Sequence, residues 1–150
     1  MKHSEIAREL FLKGYNCSQS VAGAFCDITG MGLEDALKLS APFGAGMGKM
    51  RETCGAVTGM FMVAGMLYGY SDESPEAKEE HYKLIQKIAD KFKEKNNGTI
   101  ICRELLKELK TDTLPKPSIR DEKYYKERPC ARFVEDACDI LDELIAQKSK

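Results

Sequence analysis

Six cysteines stand in this chain, and four of them, Cys17, Cys54, Cys102 and Cys130, share one kind of placement. Each falls in or beside the first turn of a segment whose apolar residues recur at helical spacing, on the side such a helix turns toward a core. Unpaired N–H groups and the positive end of the helix dipole favour a thiolate there, which makes the sulfur a nucleophile near neutral pH or a metal ligand. One buried cysteine alone is a small hydrophobe. Four at helix starts, gathered by a fold, would form a reactive centre.

Spacing excludes several familiar devices. There is no Cys-x-x-Cys for thioredoxin-like exchange, and no paired short spacing for a zinc finger or a ferredoxin-type cluster. If the sulfurs act together, they come one per helix. Three chemistries remain open. Two of the four thiols could cycle between dithiol and disulfide, one attacking and one resolving, with three pairings available. The same four could hold an iron–sulfur cluster or a thiolate-bound metal. In a third reading the thiols only pack, and function lies on an interaction surface.

Cys54, with the small Gly55 beside it, is the expected attacking thiol; on that expectation Cys54→Ser abolishes redox cycling or cofactor retention and Cys26→Ser does not. Arg51 is a second-rank candidate to hold a thiolate, its simpler role being a surface charge at a helix end. His3 and His81 are the only histidines, which argues against a mixed Cys/His zinc site, and both are read as surface residues. Cys130 and Cys138 lie eight residues apart, more than about 10 Å along one helix, and cannot bridge within it. Cys26 and Cys138 are assigned to packing.

The elements that must position these thiols read as helices throughout, so the fold class is all-α: one compact bundle of six to seven helices. A first helix runs from an N-cap at Ser4 to about Lys13, and Asn16 caps a second that carries Cys17, Val21, Ala24, Phe25 and Ile28. A third spans about 33–43 and leads into Gly44-Ala45-Gly46-Met47-Gly48, where glycines permit positive φ or close backbone approach. No Gly-Lys-Ser/Thr follows, so this loop is a tight connection toward the cysteines rather than a phosphate cradle.

From Cys54 to Tyr70, 17 residues carry no charge, about 25 Å of helix against about 30 Å of hydrocarbon. The flanking Arg51, Glu52, Asp72 and Glu73, and the interior glycines, point to a buried central helix instead of a membrane span. Its glycines at four-residue spacing let neighbours pack close, and also offer a homodimer face. Ser74-Pro75 starts a fifth helix ending at Asn96-Asn97-Gly98, and Thr99 caps a sixth to about Lys110. The Pro-rich stretch 111–129 reads as an ordered surface loop or lid, before a last helix from Cys130 to about Gln147.

Composition bounds the rest. At 150 residues, 43% hydrophobic and 31% charged, the chain is one globular domain able to bury a core without disulfide staples. A net charge of −1 gives no bulk attraction to nucleic acid or an anionic membrane. Met1–Glu5 lacks the apolar run of a signal peptide, so a reducing cytoplasm is the expected compartment.

The chain resembles a known family in five places. These are Gly14-Tyr15-Asn16-Cys17-Ser18-Gln19, the glycine-rich loop at 43–48, Cys54-Gly55-Ala56-Val57-Thr58-Gly59, Cys102-Arg103-Glu104-Leu105-Leu106, and Cys130 with Phe133-Val134. Together they are similar to the redox-active C_GCAxxG_C_C proteins, whose pattern is a CGAxxG hexapeptide with three further cysteines in this order. The resemblance implies redox or metal chemistry at Cys17, Cys54, Cys102 and Cys130, with an unspecified redox partner. It leaves Cys26 and Cys138 outside the set.

Overall fold

The computed structural model describes residues 1–150, and its elements follow from caps and periodicity. Helix α1 (His3–Leu12) turns Ala7, Leu10 and Phe11 inward; it begins before Ser4, with the Glu5 carboxylate accepting from the Lys2 N–H at 3.3 Å. Gly14, at φ 114°, lets the chain turn away behind it. Helix α2 (Cys17–Ala24) starts at Asn16 with a reciprocal capping box: the Asn16 carboxamide accepts from the Gln19 N–H at 2.9 Å, and the Gln19 side chain accepts from the Asn16 N–H at 3.1 Å. It ends four residues short of Ile28 because Phe25 leaves helical geometry; Cys26 opens a separate turn, α3 (Cys26–Thr29), closed by left-handed Gly30.

Helix α4 (Leu33–Ser40) continues into a tight 3-10 turn at Ala41–Phe43. After the glycine loop comes α5 (Gly55–Tyr68), with Cys54 as N-cap. Its first two turns and Val63 and Ala64 are buried, whereas Met66 on its second half is 55% exposed. The apolar segment is therefore central only over its first half. Helix α6 (Pro75–Lys95) is capped by the Ser74 hydroxyl, which accepts from the Ala77 N–H at 3.2 Å.

The expected sixth helix is shorter than its apolar stripe suggests: α7 covers only Cys102–Leu105. The chain before it is held extended against the segment preceding α5. The Cys54 N–H donates to the Ile100 carbonyl at 2.8 Å, the Cys102 N–H donates to the Glu52 carbonyl at 2.6 Å, and Thr53 and Ile101 form an isolated antiparallel bridge. The extended pairing through Ile101 delays the start of α7 from Thr99 to Cys102, whose first-turn N–H groups are then free to bond across. The loop expected at 111–129 also contains a helix, α8 (Glu122–Glu127), whose N-cap Asp121 accepts from the Tyr124 N–H at 2.9 Å. Helix α9 (Cys130–Lys148) closes the chain.

Nine helices result, more than the six to seven expected, because the end of the second helix splits off as α3 and a capped segment of the loop forms α8. The bundle packs α1 on α2 and α9, α2 on α5, and α6 on α9, around Phe11, Phe25, Met60, Phe92, Phe133 and Leu141. Glycine makes the α2–α5 contact possible: a Cβ on Gly59 would lie 2.9 Å from the Ser18 carbonyl oxygen. Gly65 meets nothing within 4 Å, so close packing uses the glycines of the first half only. No helix is long and apolar enough to cross a membrane.

Candidate functional site

Cys17 is the first residue of α2, Cys54 the N-cap of α5, Cys102 the first residue of α7, and Cys130 the first residue of α9. All four sulfurs come from helix starts, as their spacing implies, and all four residues line one cavity of about 450 Å³. Its wall is completed by the glycine loop and by residues 115–118, Arg120, Tyr124 and Arg128. The 111–129 segment thus borders the cysteines.

Two backbone devices hold the set together. The ladder between 51–54 and 100–103 puts Cys54 and Cys102 on adjoining strands of extended chain, with the Arg103 N–H donating to the Arg51 carbonyl at 3.2 Å. The glycine loop winds with positive φ at five successive residues, Ala45 (52°), Gly46 (75°), Met47 (68°), Gly48 (55°) and Lys49 (66°), and again at Arg51 (61°). L-residues resist that geometry, so strain is stored beside the cysteines. A Cβ on Gly46 would lie 2.6 Å from Arg51 Cα and 2.7 Å from Cys102 Cβ. Gly55 plays the matching part across the cavity, where a Cβ would sit 3.1 Å from Cys17 Cβ.

Electrostatics separate the thiols. Cys17 and Cys130, both on the cavity wall, shift each other's titration in opposite directions. The interaction with Cys17 holds Cys130 below the ordinary thiol range, against its burial, with help from the guanidinium groups of Arg128, Arg51 and Arg120. The same interaction, followed by burial, pushes Cys17 well up. Cys54 behaves differently: burial pushes it up to about 12, although the N–H groups of Ala56 and Val57 pull the other way. Cys102 is also raised by burial, opposed by an Arg51 Nη1–H donated to its sulfur at 3.8 Å. Of the four, only Cys130 is held below the ordinary thiol range; at Cys54 desolvation outweighs the donors of the α5 terminus.

Arg51 corrects the expectation of a surface charge. It is 4% exposed, and its Nε–H donates to the Asp112 carbonyl at 3.0 Å. Cys26 and Cys138 lie away from the cavity, Cys138 fully buried in the core and Cys26 partly exposed at the start of α3. The histidines are less exposed than expected: His3 is bonded between Asp27 and Asp142, and His81 is edge-on to Tyr70. Arg120, Tyr124 and Arg128 escaped the sequence reading, because a mixed-charge loop gives no periodicity. The one signal was Arg128 placed two residues before Cys130. All six cysteines are free thiols, and no three His, Cys, Asp or Glu side chains are set closely enough to hold a metal ion. A metal or cluster would need the four sulfurs to close inward.

Fold and site define an all-α protein with four helix-start thiols around a single cavity. The chain belongs to the family described as "Putative redox-active protein (C_GCAxxG_C_C)", which matches residues 15–144. No curated protein and no solved structure matches the chain.

Proposed function

We propose that this protein is a thiol–disulfide oxidoreductase whose working pair is Cys130 and Cys17. The observation that carries the reading is that both thiols sit at helix starts on the wall of one cavity, where their interaction holds Cys130 low and Cys17 high. That asymmetry is what an attacking and a resolving thiol require. The Cys130 thiolate attacks one sulfur of a substrate disulfide; the substrate S–S bond breaks and one substrate thiolate leaves, taking up a proton. Cys17 then gives up its proton and attacks the Cys130 sulfur, which forms the Cys17–Cys130 bond and expels the second substrate thiolate. Two electrons pass from the protein dithiol to the substrate, which leaves as two thiols. Cys54 and Cys102 remain protonated beside the pair, in keeping with their raised pKa values.

The test is thiol counting on protein purified without oxygen, with iron, sulfide and zinc quantified first. The dithiol reading predicts a colourless, metal-free protein that loses two thiols per chain on mild oxidation. Cys26→Ser and Cys138→Ser should lose two as well, while Cys17→Ser and Cys130→Ser should not form the intramolecular bond. Stoichiometric iron with absorption bands at about 300–600 nm would instead assign the four cysteines to a cluster.

A further inference from the structure

The cavity wall is cationic. Five basic residues line it, Lys49, Arg51, Lys116, Arg120 and Arg128, and no Asp or Glu does. Three of the five already have oxygen partners, Arg51 through the Asp112 carbonyl at 3.0 Å. Lys49 is paired with Asp112 at 3.2 Å, and Arg120 donates to the carbonyls of Phe11 and Tyr15 at 2.7 and 3.0 Å. Arg51, Arg128 and Lys116 form no ion pair with any carboxylate. Arg51 is only 4% exposed; its Nε–H is used by the Asp112 carbonyl, and the Asp112 carboxylate lies close enough to feel its charge without pairing with it. The Arg51 Nη1 reaches only the Cys102 sulfur. Arg128 lies with its guanidinium 4.8 Å from the Tyr124 ring centre and keeps its charge toward the cavity.

We propose that the substrate disulfide is a small molecule carrying carboxylates, held by Arg51, Arg128 and Lys116 over the Cys17–Cys130 pair. The inference rests on the thiol–disulfide reading and names the substrate class for it. At about 450 Å³ the cavity is in the range of small-molecule sites, and the 115–118 segment walls it on the outer side. Guanidinium groups pair with carboxylates in a two-pronged geometry, which would fix the disulfide sulfurs relative to Cys130. The step is the exchange already written: the substrate S–S bond is reduced to two carboxylate-bearing thiols, and the protein dithiol is oxidised.

A charge series tests this at low salt. Dithiodipropionate is anionic, hydroxyethyl disulfide neutral and cystamine cationic, and each is small enough for the cavity. The rate of Cys17–Cys130 bond formation is measured with each and divided by the rate at which dithiothreitol reduces the same compound. The normalised rate for the anionic disulfide should exceed that for the neutral one by about tenfold, with cystamine slowest. Arg128→Gln and Lys116→Gln should each lower the anionic-to-neutral ratio several-fold. That ratio is insensitive to any change in the thiolate fraction of Cys130. Equal normalised rates for all three compounds, or a ratio unchanged in both variants, would overturn the carboxylate assignment while leaving the dithiol reading intact. If none of the three oxidises the pair while dithiothreitol reacts normally, the dithiol reading itself fails.

Discussion

At the scale of single residues, one of four similar thiols differs from the rest. Each begins or caps a helix, so the helix terminus alone does not select among them. What sets Cys130 apart is its interaction with the Cys17 thiol and the positive charges of Arg128, Arg51 and Arg120. Alkylation with iodoacetamide across pH should therefore label Cys130 with the lowest midpoint. Its reactive form is present above that midpoint and is lost as pH falls through it. Cys17→Ala or Arg128→Gln should move the midpoint up by about one unit. Cys54, held at about 12, should stay unlabelled near neutral pH. A lower midpoint at Cys54 than at Cys130 would reverse the assignment. The four cysteines themselves were legible from type and placement, and Arg51 from its position three residues before Cys54. Its burial was not legible, because nothing local shows that residues 51–54 pair with a segment fifty residues on.

The elements carry the thiols through close packing that only glycine allows. Gly59 faces the α2 backbone, so Gly59→Ala should push α2 off α5 and destabilise the fold by about 1–3 kcal/mol in urea unfolding. Gly65, with open space beside it, should gain up to about 1 kcal/mol on substitution by alanine, as an interior helix glycine does. Equal losses at both positions would mean that Gly65 is packed against something, such as a second copy. The caps at Asn16 and Ser74 were readable because their side chains satisfy local N–H groups. The late start of α7 at Cys102 was not, since extended pairing of residues 100–102 with Glu52 and Cys54 overrides a good apolar stripe. Helix α8 was hidden for the opposite reason: Asp121 caps it, but its six residues bury none and so leave no stripe.

Across the whole molecule, helical periodicity was enough for the fold class, while the convergence of four distant helix starts on one cavity is a property of tertiary packing. That packing has a consequence for stability against pH. Cys17 and Cys138 are raised well above the usual value and Cys54 to about 12, so the folded state keeps protons that the unfolded chain releases at about pH 8.5. The unfolded state then binds fewer protons, and stability falls as pH rises through this window toward the folded values. The urea midpoint should drop between pH 8 and 10, and Cys138→Ala should flatten the drop relative to the parent protein. An identical pH slope in Cys138→Ala would remove Cys138 as a contributor.

The central claim is the identity of the working pair, and peptide mapping of mildly oxidised protein tests it most directly. Digestion without reduction, followed by mass spectrometry, should yield one dominant cross-linked species joining the peptides of Cys17 and Cys130. Cys54, Cys102, Cys26 and Cys138 should be recovered as thiols. A dominant link between Cys54 and Cys102, or oxidation spread across all six cysteines, would contradict the account.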